Sequence, residues 1–140
     1  MFLLAAALAG ACLTSPLGLD AVPEGTWGGE DAGLLVRGGE AHAHIGCTLG
    51  DLPAPIPLDR EGRFETMGQW NVNAFPIDLG ILHPARVSGR TNGRTLTFSV
   101  VLTDTGQTLG PAFVTLGREP RMANCPICRI APRSPVRSRK

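Results

Sequence analysis

Apolar and polar residues alternate most regularly between Arg94 and Thr103, and this alternation predicts a β-strand. Every second position in this segment is apolar, and the positions between them carry hydroxyl side chains, with Val101 as the exception. Because successive side chains of a strand point to opposite faces, a period of two predicts one face on a core and the other in solvent. The residues expected on the core face are Leu96, Phe98, Val100 and Leu102.

The preceding segment predicts that this strand belongs to a hairpin. A second strand is expected over Ala85–Arg90, and Thr91, Asn92 and Gly93 lie between the two. An Asn-Gly pair accepts positive φ at both central positions of a tight turn, which favours a hairpin whose strands keep their twist.

Similar short segments, separated by turn residues, predict about seven or eight strands in meander order, while helical periodicity is nearly absent after residue 13. Residues 70–83 show no pattern and are expected to form an irregular loop. The predicted fold is all-β, a small antiparallel barrel or a rolled sandwich, because closure removes the exposed edges of a long meander. The other strands expected are Ala32–Arg37, Glu40–Cys47 after a turn at Gly38-Gly39, Ile56–Leu58, Arg63–Met67 after a turn at residues 59–62, Ala112–Leu116 after a turn at residues 104–107, and a short closing strand at Met122–Cys125. Gly28 and Gly29, like Gly38 and Gly39, are interpreted as turn or bulge glycines.

The N-terminal segment is interpreted as an export signal. Its apolar run from Phe2 to Leu13 is shorter than the roughly 20 residues that cross a bilayer. Small residues at Ala9 and Ala11 fit a signal-peptidase site, and the segment that ends at Cys12 resembles the lipobox of bacterial lipoproteins. This resemblance implies a lipid on Cys12 and a membrane anchor. Cleavage without lipidation, after Ala9 or before Cys12, is the alternative.

Charge and composition complete the expected organisation: residues 1–12 a signal peptide, 13–24 a linker, 25–128 a β domain and 129–140 a basic disordered tail. The last twelve residues hold five of the 13 basic residues and no acidic one, which leaves eight basic and twelve acidic residues in the rest. The tail also contains two prolines, so it is interpreted as a solvated end without a nucleic-acid partner.

Several structural residues together resemble a family of small uncharacterised bacterial lipoproteins that are predicted to be all-β. The resemblance spans residues 24–125 and rests on the GTWGG segment at 25–29, Cys47, Gly62-Arg63-Phe64, Ser88-Gly89, the strand at 95–100 and a cysteine near the end. It implies an exported, periplasmic, outer-membrane-anchored or extracellular protein of unknown specific role.

The cysteines after Cys12 permit two interpretations. In an oxidising compartment Cys47 is expected to form a disulfide with Cys125 or Cys128, and the family resemblance implies Cys125. The alternative is zinc, or thiol redox chemistry, at the C-x-x-C spacing of Cys125 and Cys128, with Cys47, His42 and His44 as further metal ligands. Strand parity places the two histidines on the face opposite Cys47, so we expect exposed histidines, no metal and no cofactor.

No sequence motif indicates catalysis. His83 and Asp78 form a weak acid–base candidate because a loop histidine near a carboxylate can act as a base, but no nucleophile accompanies them in the sequence. We therefore expect no catalytic residue and a structural or interaction module of the cell envelope, with an unknown protein partner. The alternatives are a lipocalin-like carrier of a small ligand and an inhibitor of secreted proteases.

Overall fold

A computed structural model describes residues 18–122 and Cys125, and it is a closed antiparallel barrel of eight strands. Each strand pairs with its neighbours in sequence, and β8 returns to pair with β1 through Trp27 opposite Leu116 and Gly28 opposite Thr115. The all-β class and the meander order predicted from the alternation are confirmed. The strands are β1 (Gly25–Gly29), β2 (Ala32–Arg37), β3 (Glu40–Ile45), β4 (Thr48–Pro53), β5 (Arg63–Asn71), β6 (His83–Thr91), β7 (Thr95–Leu102) and β8 (Thr108–Leu116).

The up-and-down order divides the connections between two ends of the barrel. The upper end carries the β1–β2, β3–β4, β5–β6 and β7–β8 connections, and the lower end carries the other three together with residues 18–24. Val22 and Ile56 are buried and close the lower end, where the Val22 N–H donates to the Ile56 carbonyl oxygen at 2.9 Å. Among the described residues, no helix has the length and hydrophobicity that crossing a bilayer requires.

Inward-facing side chains fill the barrel interior. An eight-stranded barrel is just wide enough for side chains to occupy its lumen, and here large aromatic and aliphatic groups do so. The four β7 residues that the alternation predicts on the core face are all buried. The largest fully buried side chains are Trp27, Trp70, Phe98, Ile56, Leu96, Leu102, Val36, Val87 and Val100.

The predicted β6–β7 hairpin is present, but its turn uses a different chemistry from the one expected. Only Gly93 has positive φ, at 89°. Asn92 contributes through its side chain, whose Oδ1 accepts hydrogen bonds from the N–H groups of Arg94 at 2.9 Å and Thr95 at 2.8 Å. Asparagine side chains that bond to the following backbone stabilise turns in this way.

Several predicted boundaries are wrong. Ile56–Leu58 is not a barrel strand; Pro57 only forms an isolated bridge with Ala21. The adjacent barrel strand is instead β4, which is not among the strands predicted from the alternation. Gly50 is required there because it lies opposite Trp70, and a Cβ at this position would overlap the indole ring.

Other corrections concern the ends of elements. β3 ends at Ile45, so Cys47 lies in the β3–β4 turn, and β5 extends to Asn71, so Trp70 is a core residue and not part of a loop. Residues 25–29 form β1 and not a glycine turn. The barrel closes by pairing of β8 with β1 and not through the closing strand expected at 122–125. In that segment Met122 and Cys125 are not in a strand, and the two residues between them lie outside the described part of the chain.

The chain after β8 returns along the outside of the barrel from the lower to the upper end. It runs beside β1, with the Gly117 N–H on the Thr26 carbonyl at 2.7 Å and the Arg121 N–H on the Gly29 carbonyl at 2.9 Å. It leads to a disulfide between Cys125 and Cys47, whose Cα atoms are 5.4 Å apart. This is the pair that the family resemblance implies. Cys12, Cys128, the predicted signal peptide and the predicted disordered tail lie outside the described residues.

Candidate functional site

The connection between β5 and β6, residues 72–82, exposes four aliphatic side chains at the upper end of the barrel. We call it the 72–82 loop. Ile77, Leu79, Ile81 and Leu82 are 60%, 69%, 46% and 55% exposed, respectively. Scattered exposed apolar residues are normal on a protein surface, but a contiguous group commonly marks an interaction site. The loop is therefore the strongest candidate for a binding surface.

The base of the loop is held by side-chain hydrogen bonds. Asn71 is 2% exposed, and its Nδ2 donates to Oδ1 of Asp78 at 2.8 Å, while its own Oδ1 accepts from the Asn73 N–H at 2.8 Å. Asp78 Oδ1 also accepts from the Gly80 N–H at 2.7 Å. These bonds fix the direction of the chain on both sides of Ile77, so the aliphatic side chains are presented by a constrained loop.

The hydrogen bonds also lower the pKa of Asp78. The Gly80 N–H has the largest effect, followed by the Asn71 amide, because both stabilise the charged carboxylate. A carboxyl group whose folded-state pKa is depressed stabilises the folded state above its unfolded pKa. That contribution is lost as the pH falls through the folded-state value.

We therefore expect hydrogen-exchange protection of the Gly80 amide to decrease by several-fold as the pH falls through the lowered pKa of Asp78, which lies below the ordinary aspartate value of about 4. Exchange rates corrected for intrinsic pH dependence and read by NMR test this. In the Asp78→Asn variant the side-chain oxygen remains and the titration is lost, so protection should not vary with pH. The same acid dependence in this variant would contradict the assignment.

The charges next to the loop in sequence are sparse and acidic. From Phe64 to Ala85 the chain contains no lysine or arginine, and its charged groups are Glu65 and Asp78. At the end of the loop, Nδ1 of His83 lies 2.7 Å from Oδ2 of Asp104 in the β7–β8 turn. The chain on both sides of the aliphatic group is therefore free of permanent positive charge over more than twenty residues.

The His83 pair corrects the acid–base candidate. His83 is paired with Asp104 and not with Asp78, whose Oδ1 accepts hydrogen bonds from Asn71 and Gly80. The hydrogen bond from His83 is the main reason that the pKa of Asp104 is lowered. The pair joins the end of the 72–82 loop to the neighbouring turn.

The predicted histidine face lies on the outside of β3. His42 Nδ1 lies 2.6 Å from Asp51 Oδ1 on β4, and the rings of His42 and His44 meet edge to face with centroids 4.7 Å apart. Burial, and then the neighbouring His42, lower the pKa of His44. With Leu35 and Pro120 the two histidines line a cleft of about 290 Å³.

The zinc interpretation loses two of its ligands, because the sulfur atoms of Cys47 and Cys125 are bonded to each other. Within residues 18–122 and Cys125, no group of three or more histidine, cysteine or acidic side chains is arranged to hold a metal ion.

Sequence reasoning missed the four aliphatic residues as a site, because it classified their segment only as a loop without pattern. Their signal was the density of Ile and Leu in a stretch that lacks strand alternation. It also missed Asp104, which is 21 residues from His83.

Comparison with protein-family models, with curated proteins and with solved structures finds no match for this chain.

Proposed function

We propose that this protein is an interaction module of the cell envelope and that the 72–82 loop is the surface that a protein partner contacts. The observation that carries the proposal is the group of four exposed aliphatic side chains on a loop whose base is fixed. Burial of apolar surface drives protein association, and a loop that is already constrained loses less conformational entropy when it binds.

The charges favour a protein over a lipid surface as the partner. Segments that insert into anionic membranes combine apolar residues with adjacent lysine or arginine. The 72–82 loop has none nearby in sequence, and Asp78 lies within the aliphatic group. Bringing this carboxylate to an anionic bilayer would be unfavourable, whereas an apolar protein groove with a polar rim accommodates it.

The filled interior counts against a lipocalin-like carrier. Such a carrier needs an internal volume of several hundred cubic ångströms. In the barrel, Trp27, Trp70 and Phe98 occupy the central space. Binding at the surface is therefore the better proposal.

Export and lipidation belong to the same proposal. The Cys47–Cys125 disulfide supports an oxidising compartment, where such bonds persist. We place the protein at the periplasmic or outer surface, anchored through a lipid on Cys12 and similar in design to small all-β lipoproteins. A diacyl or triacyl mass on the mature N-terminal cysteine is the expected result; an unmodified start would remove the anchor.

The binding proposal predicts that Leu79→Ser combined with Leu82→Ser abolishes a protein contact that the parent chain makes. A photo-crosslinking residue at position 81 should give one discrete protein adduct in cells, and the purified partner should bind the double variant at least about tenfold more weakly. Phe113→Ser is the matched control, because Phe113 is 66% exposed on the outer wall away from this loop. Equal loss in the control, a lipid adduct or an adduct with a second copy of the chain would contradict the proposal.

A secreted protease is a specific candidate for that partner. Hydrogen bonds on both sides of Ile77 constrain the base of the loop, which suits an inhibitor whose loop stays bound in a protease cleft. Such a protease would prefer substrates that have aliphatic residues at the cleavage site. The expected result is saturable inhibition of a secreted endopeptidase of that preference by the parent chain and not by the double variant; cleavage within the loop would exclude this role.

A further inference from the structure

A cleft of about 530 Å³ lies at the lower end of the barrel, opposite the 72–82 loop. It is formed where the turn before β5 meets the β6–β7 hairpin. We propose that this cleft binds a small ligand through an oxyanion group, such as a phosphate or a sulfate. The residues that line it are Arg60, Glu61, Arg90, Thr91, Asn92, Thr95 and Thr97.

The carboxylates beside the cleft are already paired. Arg63 Nε lies 2.8 Å from Oδ2 of Asp59, and one of its terminal nitrogens lies 3.2 Å from Oε2 of Glu61. The guanidinium of Arg63 therefore forms ion pairs with both carboxylates. The charge of Glu61, the acidic residue among the lining groups, is directed toward Arg63.

Arg90 is held at the cleft by a hydrogen bond and not by an ion pair. Its Nε donates to the main-chain oxygen of Glu61 at 3.2 Å, which fixes the guanidinium at the cleft without neutralising it. Within the described residues, no carboxylate oxygen lies within 4 Å of its nitrogens. Arg63 lies directly opposite Arg90 on β5 and is already engaged by Asp59 and Glu61, so we assign the anion contact to Arg90.

Uncharged donors stand next to this guanidinium. Thr97 is the cross-strand partner of Arg90 on β7. Asn92 uses its Oδ1 to accept hydrogen bonds within the turn, so its Nδ2 is the group left to donate outward. A planar guanidinium combined with hydroxyl and amide donors matches the geometry of a phosphate or sulfate group.

The size of the cleft is sufficient for a small molecule. Ligand sites commonly have volumes of about 300–1,000 Å³, and this cleft falls in that range. The proposal is independent of the 72–82 loop, since the two sites are at opposite ends of the barrel. Failure of one experiment leaves the other proposal intact.

Titration of the purified chain with inorganic phosphate, followed by NMR at constant ionic strength, tests the proposal. The amides of residues 90–97 should shift and saturate. Arg90→Gln should weaken binding by roughly tenfold or more. Arg86→Gln is the matched control, because Arg86 is an exposed arginine four residues earlier on the same strand and the same face. It should change the affinity by less than about twofold, since exposed charges at a distance are screened by salt.

Equal weakening by the two variants, or shifts that do not saturate, would overturn the proposal, because general attraction to a basic surface produces both. Vesicles that contain phosphatidylglycerol distinguish the source of the oxyanion. Sedimentation with these vesicles that is lost in Arg90→Gln identifies a lipid headgroup, whereas phosphate binding without sedimentation identifies a soluble ligand. Binding of neither probe excludes the site.

Discussion

Replacement of Phe98 by alanine is expected to lower the free energy of unfolding by about 3–5 kcal/mol, the usual cost of truncating a buried aromatic side chain. Phe98 is 2% exposed and faces the barrel interior from the middle of β7. Its removal forfeits the transfer free energy of the ring and leaves a cavity between strands that cannot move together, because the closed hydrogen-bonded wall fixes their spacing.

The matched control for this substitution is Phe113→Ala. Phe113 is on the neighbouring strand, paired with Thr97, and its ring points outward with 66% exposure. Because truncating it creates no internal cavity, the expected cost is below about 1 kcal/mol. Urea denaturation followed by circular dichroism measures both values. Comparable losses in the two variants would contradict the assignment of inner and outer faces on β7 and β8.

Removal of the disulfide by Cys47→Ala with Cys125→Ala is expected to lower the free energy of unfolding by about 2–4 kcal/mol, the typical contribution of such a bond. The two cysteines are 78 residues apart in sequence. Cross-linking positions this distant restricts the unfolded chain considerably, and loss of the bond restores that freedom. In the folded state, the bond connects the segment that follows β8 to the β3–β4 turn.

The Cys128→Ala variant provides the control for the disulfide, because it removes a neighbouring thiol without removing the bond. Its stability should remain within about 0.5 kcal/mol of the parent. Denaturation curves with and without a reductant should show that reduction affects the parent and Cys128→Ala chains but not the double variant. Destabilisation by Cys128→Ala of the size expected for the double variant would mean that Cys47 pairs with Cys128.

The two candidate binding sites could be predicted from the sequence to different degrees. The sequence shows that Ile77 and Leu79 are apolar. It does not show that they are exposed, because burial depends on the tertiary structure: Trp70, only seven residues from Ile77, is buried. The predicted hairpin brings Arg90 close to β7, but a tight turn centred on Asn92 and Gly93 would place it opposite Thr95, whereas it lies opposite Thr97. The approach of Arg90 to the main-chain oxygen of Glu61, 29 residues away, could not be predicted from the sequence.

The sequence alone determined the strand character and the inward face of β7 and the presence of a hairpin turn beside Gly93. A period of two and a tight turn are properties of neighbouring residues. Closure of the barrel required the tertiary structure. Trp27 meets Leu116 from the other end of the domain, and glycines such as Gly50 and Gly28 stand in strands because another chain segment or ring lies against them. Those contacts arise between residues far apart in sequence, so only the assembled barrel decided which turn-like glycines are strand residues and which apolar side chains remain exposed.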